Sequence, residues 1–282
     1  EPRPSLSRRY EGRSQPGPVL PREQLVPLSD VTIHIVEWVG ENPPILGIHG
    51  SAGSAYSLTA LGERLAPGNR FIAMDLRGHG FSDKPPSGYE LTHHVSDVLQ
   101  LMEALGFVRP VVLGFSLGGP VAVEVATRTD LKGLILLDGA VLDRAALERK
   151  GPETIVPTGE TLDLRFRNVD EYLQRWRSEN PRYSDDAERW LDRFARFELA
   201  PLPDGTLRRR GLRAALHAEW LSVLEADSLG TLARVRCPVL IVKAAGPWLG
   251  GRPFLPDDLV RLKCMRARTP GGSSLAPRIT AP

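Results

Sequence analysis

The chain has 282 residues, 41% of them hydrophobic and 25% charged, with a net charge of +2. That length can bury a sizeable core, as one large domain or as a core with an insertion. The small positive excess is scattered among acids and gives no basic face for nucleic acid, and no apolar run reaches the roughly 18 residues of a membrane span.

The N-terminus has no apolar signal core. The sequence starts at Glu1 rather than at a methionine, as a fragment or processed chain does. Its two cysteines, Cys237 and Cys264, lack C-x-x-C spacing, so no metal site, redox motif or disulfide framework follows. A reducing cytosol is the expected compartment. No cofactor is implied.

Residues 1–28 are rich in Pro, Arg and Ser without periodicity and read as a mobile tail. From Val31 to Trp38 the residues alternate as a strand does. Short apolar runs bounded by turn residues follow at Ile45–Ile48, Phe71–Met74, Val111–Leu113, Leu134–Leu137 and Val239–Val242. Such runs suit parallel strands buried on both faces. Helical patterns at Ala55–Leu65, Thr92–Leu105 and Pro120–Thr127 lie between them. Alternation of this kind predicts an α/β fold with a mostly parallel, doubly wound sheet.

The alternation stops over residues 142–230. Amphipathic helical patterns replace it at Val169–Arg177, at Asp185–Phe197 with Ser184 as N-cap, and at Leu212–Glu225. Arg208-Arg209-Arg210 reads as a solvated helix start. This segment predicts a mostly helical cap, inserted between a first core part at 29–141 and a second at 231–263. Trp176, Trp190, Phe194, Phe197 and Trp220 recur at helical spacing and are expected to pack the cap. Residues 264–282 read as an irregular tail.

Gly114-Phe115-Ser116-Leu117-Gly118 matches G-x-S-x-G. Three fixed positions alone are weak, but a predicted strand precedes them and a predicted helix follows. That is the setting in which a serine oxygen projects from a strained turn as a nucleophile. Acyl transfer also needs two N–H groups to hold the developing oxyanion. The N–H of Leu117, at the helix start, is one candidate. The N–H of Ser51, in the turn His49-Gly50-Ser51-Ala52-Gly53 after Ile45–Ile48, is the other.

Three segments in this order, Leu46-Gly-Ile-His-Gly50, Asp75-Leu-Arg-Gly-His-Gly-Phe-Ser-Asp83 and Gly114-Phe-Ser-Leu-Gly118, resemble the α/β-hydrolase superfamily. The resemblance spans about residues 29–263. It implies a serine hydrolase with a Ser–His–acid triad and His79 as a loop brace. Phe115 stands where such proteins often carry His. The resemblance places the acid after Val239–Val242, but residues 244–252 hold no carboxylate. Asp138, after Leu134–Leu137, is the alternative acid that some members use. Asp257 and Asp258 read as the first turn of a helix.

The histidine expected in a loop after the last strand is missing. The six histidines are His34, His49, His79, His93, His94 and His217, and none follows residue 217. The last strand itself is not legible after Met265. His217 is a weak substitute, because a histidine on a cap helix usually packs or faces solvent, and His93 and His94 read as structural. The sequence thus implies a hydrolase acting on a small ester, lactone or amide through an acyl-enzyme on Ser116, with reduced or no activity. A serine nucleophile argues against dehalogenase and epoxide-hydrolase chemistry, which need a carboxylate. Two alternatives remain: a non-catalytic binding protein on the same scaffold, or a tail read out of frame, which the gene's nucleotide sequence decides.

Overall fold

The computed structural model describes residues 21–41, 43–66, 68–139, 159–179 and 188–243. Its centre is a seven-stranded sheet. In chain order the strands are β1 (Arg22–Pro27), β2 (Thr32–Trp38), β3 (Ile45–Ile48), β4 (Phe71–Met74), β5 (Val111–Phe115), β6 (Gly133–Leu137) and β10 (Val239–Val242). Their spatial order is β1-β2-β4-β3-β5-β6-β10. The β1–β2 and β2–β4 pairs are antiparallel, and the rest are parallel.

Successive strand residues point to opposite faces, and both faces are covered. On β2, Ile33 and Ile35 join one core cluster, while Val36 and Trp38 join a second. On β4, Ile72 and Met74 separate from Phe71 and Ala73 in the same way. The first cluster is closed by helices α2 (Leu91–Ala104) and α3 (Gly118–Arg128). The second lies under α1 (Thr59–Leu65) and the 3-10 turn Ala55–Leu58 before it. Two-sided burial is why β4 reads as an unbroken apolar run rather than as alternation.

The expected tail at 1–28 needs correction. Arg22–Pro27 is an edge strand, paired with β2 from Arg22 opposite Glu37 to Pro27 opposite Thr32. Within it only Val26 is buried. Backbone hydrogen bonds rather than side-chain burial make the strand, so its sequence carries no periodic signal.

Between β6 and β10 lie α4 (Glu160–Asp163), β7 (Arg165–Phe166), α5 (Val169–Glu179), α6 (Glu188–Glu198), β8 (Leu199–Pro201), β9 (Leu207–Arg209), α7 (Arg213–Glu225) and α8 (Ser228–Ala233). The expectation of a mostly helical insertion is incomplete, because β7, β9 and β8 form a second sheet, antiparallel throughout. The arginine triplet is corrected too. Arg208 and Arg209 lie on β9, and the helix begins only at Arg213. Arg209 is mostly buried and paired with Glu198 at 3.1 Å. Ser184, Asp257, Asp258, Cys264 and the tail lie outside the described residues.

The loop after β4 is held by Arg77. Its guanidinium donates to both oxygens of Asp97 on α2, at 2.7 and 2.6 Å, and to the Gly88 carbonyl. Arg77 is 2% exposed and Asp97 is fully buried. Arg77 Nη2 also reaches both oxygens of the half-exposed Asp30 at 3.2 Å. Removing a buried partner and stranding the other charge costs about 3–5 kcal/mol. Asp97→Ala leaves Asp30 in place and is expected to lose stability by less than that, measured by urea unfolding.

Candidate active site

Chain order and spatial order diverge around β3. The crossover from β3 leads to β4 on one side, and the crossover from β4 leads back past β3 to β5. Loops that leave the carboxyl ends of β3 and β5 therefore diverge and open a crevice, where α/β sheets place their ligands. Ser116 leaves β5 at this point, and the turn Gly50–Gly53 leaves β3 beside it.

Ser116 has φ +49°, in the left-handed region. A serine there is strained by about 1–3 kcal/mol unless its surroundings enforce the conformation. Here they do. Its N–H donates to the Leu137 carbonyl at 3.0 Å, and its carbonyl accepts from Gly119 N–H at 2.9 Å. Side chains are excluded on every side of the turn. A Cβ on Gly114 would lie 2.3 Å from the Gly118 carbonyl oxygen, and one on Gly118 would lie 2.5 Å from that of Ile48. A Cβ on Gly139 would reach within 2.4 Å of Ser116 Cα, and one on Gly50 within 3.0 Å of Ser116 Cβ. Both glycines of the motif are thus packing requirements. Gly118→Ala is expected to destabilise the fold by about 1–3 kcal/mol, as overpacking does, in a thermal melt.

Asp138 lies across from Ser116. Phe115 pairs with Leu137, so the two residues follow directly from adjacent strands. Asp138 has φ +40°, and its N–H donates to the Val242 carbonyl at 2.7 Å. Sequence reasoning placed it here, and the fold brings it to the same end of the sheet as Ser116. The Leu117 side chain is buried in the core at the start of α3.

The turn after β3 is held residue by residue. His49 Nε2 accepts from Leu76 N–H at 3.1 Å, so its Nδ1–H donates to the Gly50 carbonyl at 2.7 Å. Burial, with help from nearby His79, lowers the His49 pKa to about 4, so the ring is neutral. Trp220 Nε1–H on α7 donates to Ser51 Oγ at 2.7 Å. Arg209 Nη2 donates to the Ala52 carbonyl. Ala52 is itself left-handed, at φ +54°. Backbone carbonyls accept neither the Ser51 nor the Leu117 N–H among the described residues.

Four further histidines lie beside carboxylates. His34 Nδ1 lies 2.7 Å from Asp75, which also accepts from Ala55 and Phe81 N–H. His79 Nε2 meets Glu219 Oε1 on α7 at 2.7 Å, and His94 Nε2 lies 3.3 Å from the same oxygen. His93 faces Glu90 at the surface, and His217 is exposed on α7. Among the described residues no histidine is hydrogen-bonded to the Ser116 hydroxyl. His79 is a brace, as the sequence resemblance implied, but its partner Glu219 lies 140 residues away and left no sequence signal.

Burial alone would raise the Glu219 carboxyl, but adjacent His79 and His94 together outweigh it and hold the group well below the carboxylate range. Burial likewise opposes charge on His79, and Glu219, with Asp75 and Glu198 beyond it, outweighs that, so His79 is raised. The two shifts give opposite pH dependences. The His79 contribution is complete below about pH 6.5, its unfolded value, and falls as pH rises through the folded value. The Glu219 contribution is present above about pH 4.3 and is lost only in acid. The Tm gap between wild type and Glu219→Gln should therefore be larger near pH 6 than near pH 9. An equal gap in thermal melts at both would contradict this.

The aromatic residues of the insertion divide between two roles. Trp176 and Phe194 pack within the insertion, as expected. The others reach the core. Trp190 donates to Glu63 on α1 at 2.6 Å, Phe197 stacks on Tyr56, and Trp220 holds Ser51.

Comparison with known proteins agrees with this architecture. The α/β hydrolase fold family matches residues 43–218. A 2-(acetamidomethylene)succinate hydrolase of Mesorhizobium japonicum is 31% identical over 222 residues, covering 77% of this chain and 76% of its own. An AB hydrolase superfamily protein of Bacillus subtilis is 26% identical over 215 residues, covering 73% and 75%. The crystal structure of E-2-(acetamidomethylene)succinate hydrolase superposes with a TM-score of 0.74 at 23% identity, covering 87% of each chain. An N-formylmaleamic acid deformylase from Pseudomonas putida superposes with a TM-score of 0.66 at 20% identity, covering 87% and 89%. The chain belongs to the α/β hydrolase fold family, and by class it is a hydrolase.

Proposed function

We propose that the chain is a serine hydrolase whose nucleophile is Ser116. The left-handed turn that carries Ser116 into the crevice between β3 and β5 is the observation that supports this reading. Ser116 Oγ attacks the carbonyl carbon of a small ester, lactone or amide. The C–O or C–N bond then breaks, the alcohol or amine departs with the proton given up by the serine and relayed by water, and an acyl-enzyme remains. The carbonyl oxygen takes the negative charge and is held by the N–H groups of Leu117 and Ser51. Water then releases the acid. Asp138 is the residue that would orient an imidazole. The named relatives fit the amide end of this range, since one is called a hydrolase of an acetamido compound and one neighbour a deformylase of an amide. No cofactor enters this chemistry. Free Cys237 fits the reducing cytosol we propose as its compartment.

The serine proton needs an acceptor. With no histidine at the hydroxyl among the described residues, water takes that role. A triad lacking one member keeps roughly 10³–10⁴ over the uncatalysed rate, from the oxyanion site and binding. Slow turnover is the expectation. The same observation favours a second reading, a non-catalytic small-molecule binding protein on this scaffold.

A fluorophosphonate probe separates the two. Covalent labelling that disappears in Ser116→Ala is expected, read by intact-mass spectrometry. Absence of any adduct on folded wild type after prolonged incubation would favour the binding protein.

A further inference from the structure

The turn Gly50–Gly53 is held from both sides. Among the described residues, its Gly50 carbonyl accepts from His49 and from Gly53 N–H within the core, while Ser51 and Ala52 are fastened from the insertion. Trp220 on α7 donates to Ser51 Oγ, and Arg209 on β9 donates to the Ala52 carbonyl. Each donor is anchored in turn. Trp220 is 3% exposed and belongs to the main core cluster. Arg209 is fixed by two bonds to Glu198, at 3.1 and 3.3 Å, and Glu198 is buried at the end of α6. The fastened residues are those with the least intrinsic reason to stay put. Ala52 has a left-handed backbone without being glycine, a conformation that persists only when its surroundings impose it.

We propose that Trp220 and Arg209 are positioning residues for the oxyanion site. They fix the Ser51 N–H beside Ser116, so the site is complete only while the insertion is docked on the core. This rests on the serine-hydrolase reading above. Without these two bonds Ser51 and Ala52 lose both of their partners from the insertion, and the second donor is released. Preorganised donors are effective because they need not reorient during reaction.

The test uses the full chain and measures the saturable fluorophosphonate labelling rate, split into probe affinity and maximal rate. Trp220→Phe keeps an aromatic ring but removes the N–H. Ser51→Ala keeps the backbone donor but removes the acceptor. Each is expected to lower the maximal rate roughly 10-fold or more, below the full loss of a direct donor, with probe affinity within about twofold. The double variant should be no slower than the slower single, since both break one bond. Ser51→Thr, which retains a hydroxyl, should recover most of the rate. Single variants that label within twofold of wild type while remaining folded would overturn the proposal.

Amide hydrogen exchange gives an arm that needs no activity. Peptides covering residues 50–58 should exchange several-fold faster in Trp220→Phe, while those covering α2 stay unchanged. Unchanged exchange at 50–58 would overturn the clamp on its own. Failure of wild type to label at all overturns the serine-hydrolase reading instead, and exchange still judges the clamp.

Discussion

The close approach of four glycine backbones around Ser116 is the constraint on which the site depends. Gly114 and Gly118 let β5 turn directly into α3, and Gly50 and Gly139 let the neighbouring loops close against the turn. A single methyl group at Gly114, Gly118 or Gly139 would collide with backbone, which cannot swing aside as a side chain can. The positive φ of Ser116 is the outcome of that packing. Strain of this kind persists where the surrounding structure over-determines it, and such places are commonly functional.

A second set of contacts joins the insertion to the core. Glu219 and Trp220 are adjacent on α7 yet serve different partners, the buried histidines and Ser51 respectively. Ser222, one turn end further, accepts the Leu91 N–H that begins α2. Trp190 and Arg193 both reach Glu63 on α1. Specific polar bonds of this kind fix orientation as well as contact, because a misplaced insertion would leave Glu219 buried without its histidine partners. The insertion is therefore registered to the core it packs on.

The six histidines show how chemistry and structure divide one residue type. A neutral ring suits His49, whose two nitrogens must donate to one backbone group and accept from another. A charged ring suits His79, which faces a buried carboxylate. In both, at least one ring nitrogen is engaged by a neighbour that fixes the ring as a structural brace.

Sequence alone determined the strand runs, the helices between them and the Ser116 turn, because each rests on local pattern: apolar runs, helical spacing, and glycine at fixed offsets from serine. It also determined Asp138, since a residue following a recognisable strand inherits that strand's end. Tertiary structure decided the rest. The edge strand Arg22–Pro27 exists through backbone pairing to β2 and has no side-chain signature. Burial of Arg209 on β9 depends on Glu198, eleven residues away across a turn. The joining of Glu219 to His79 and of Trp220 to Ser51 spans 140 and 169 residues. Such pairs carry no periodicity, because the spacing between the partners is set by the path of the chain and not by the repeat of any helix or strand.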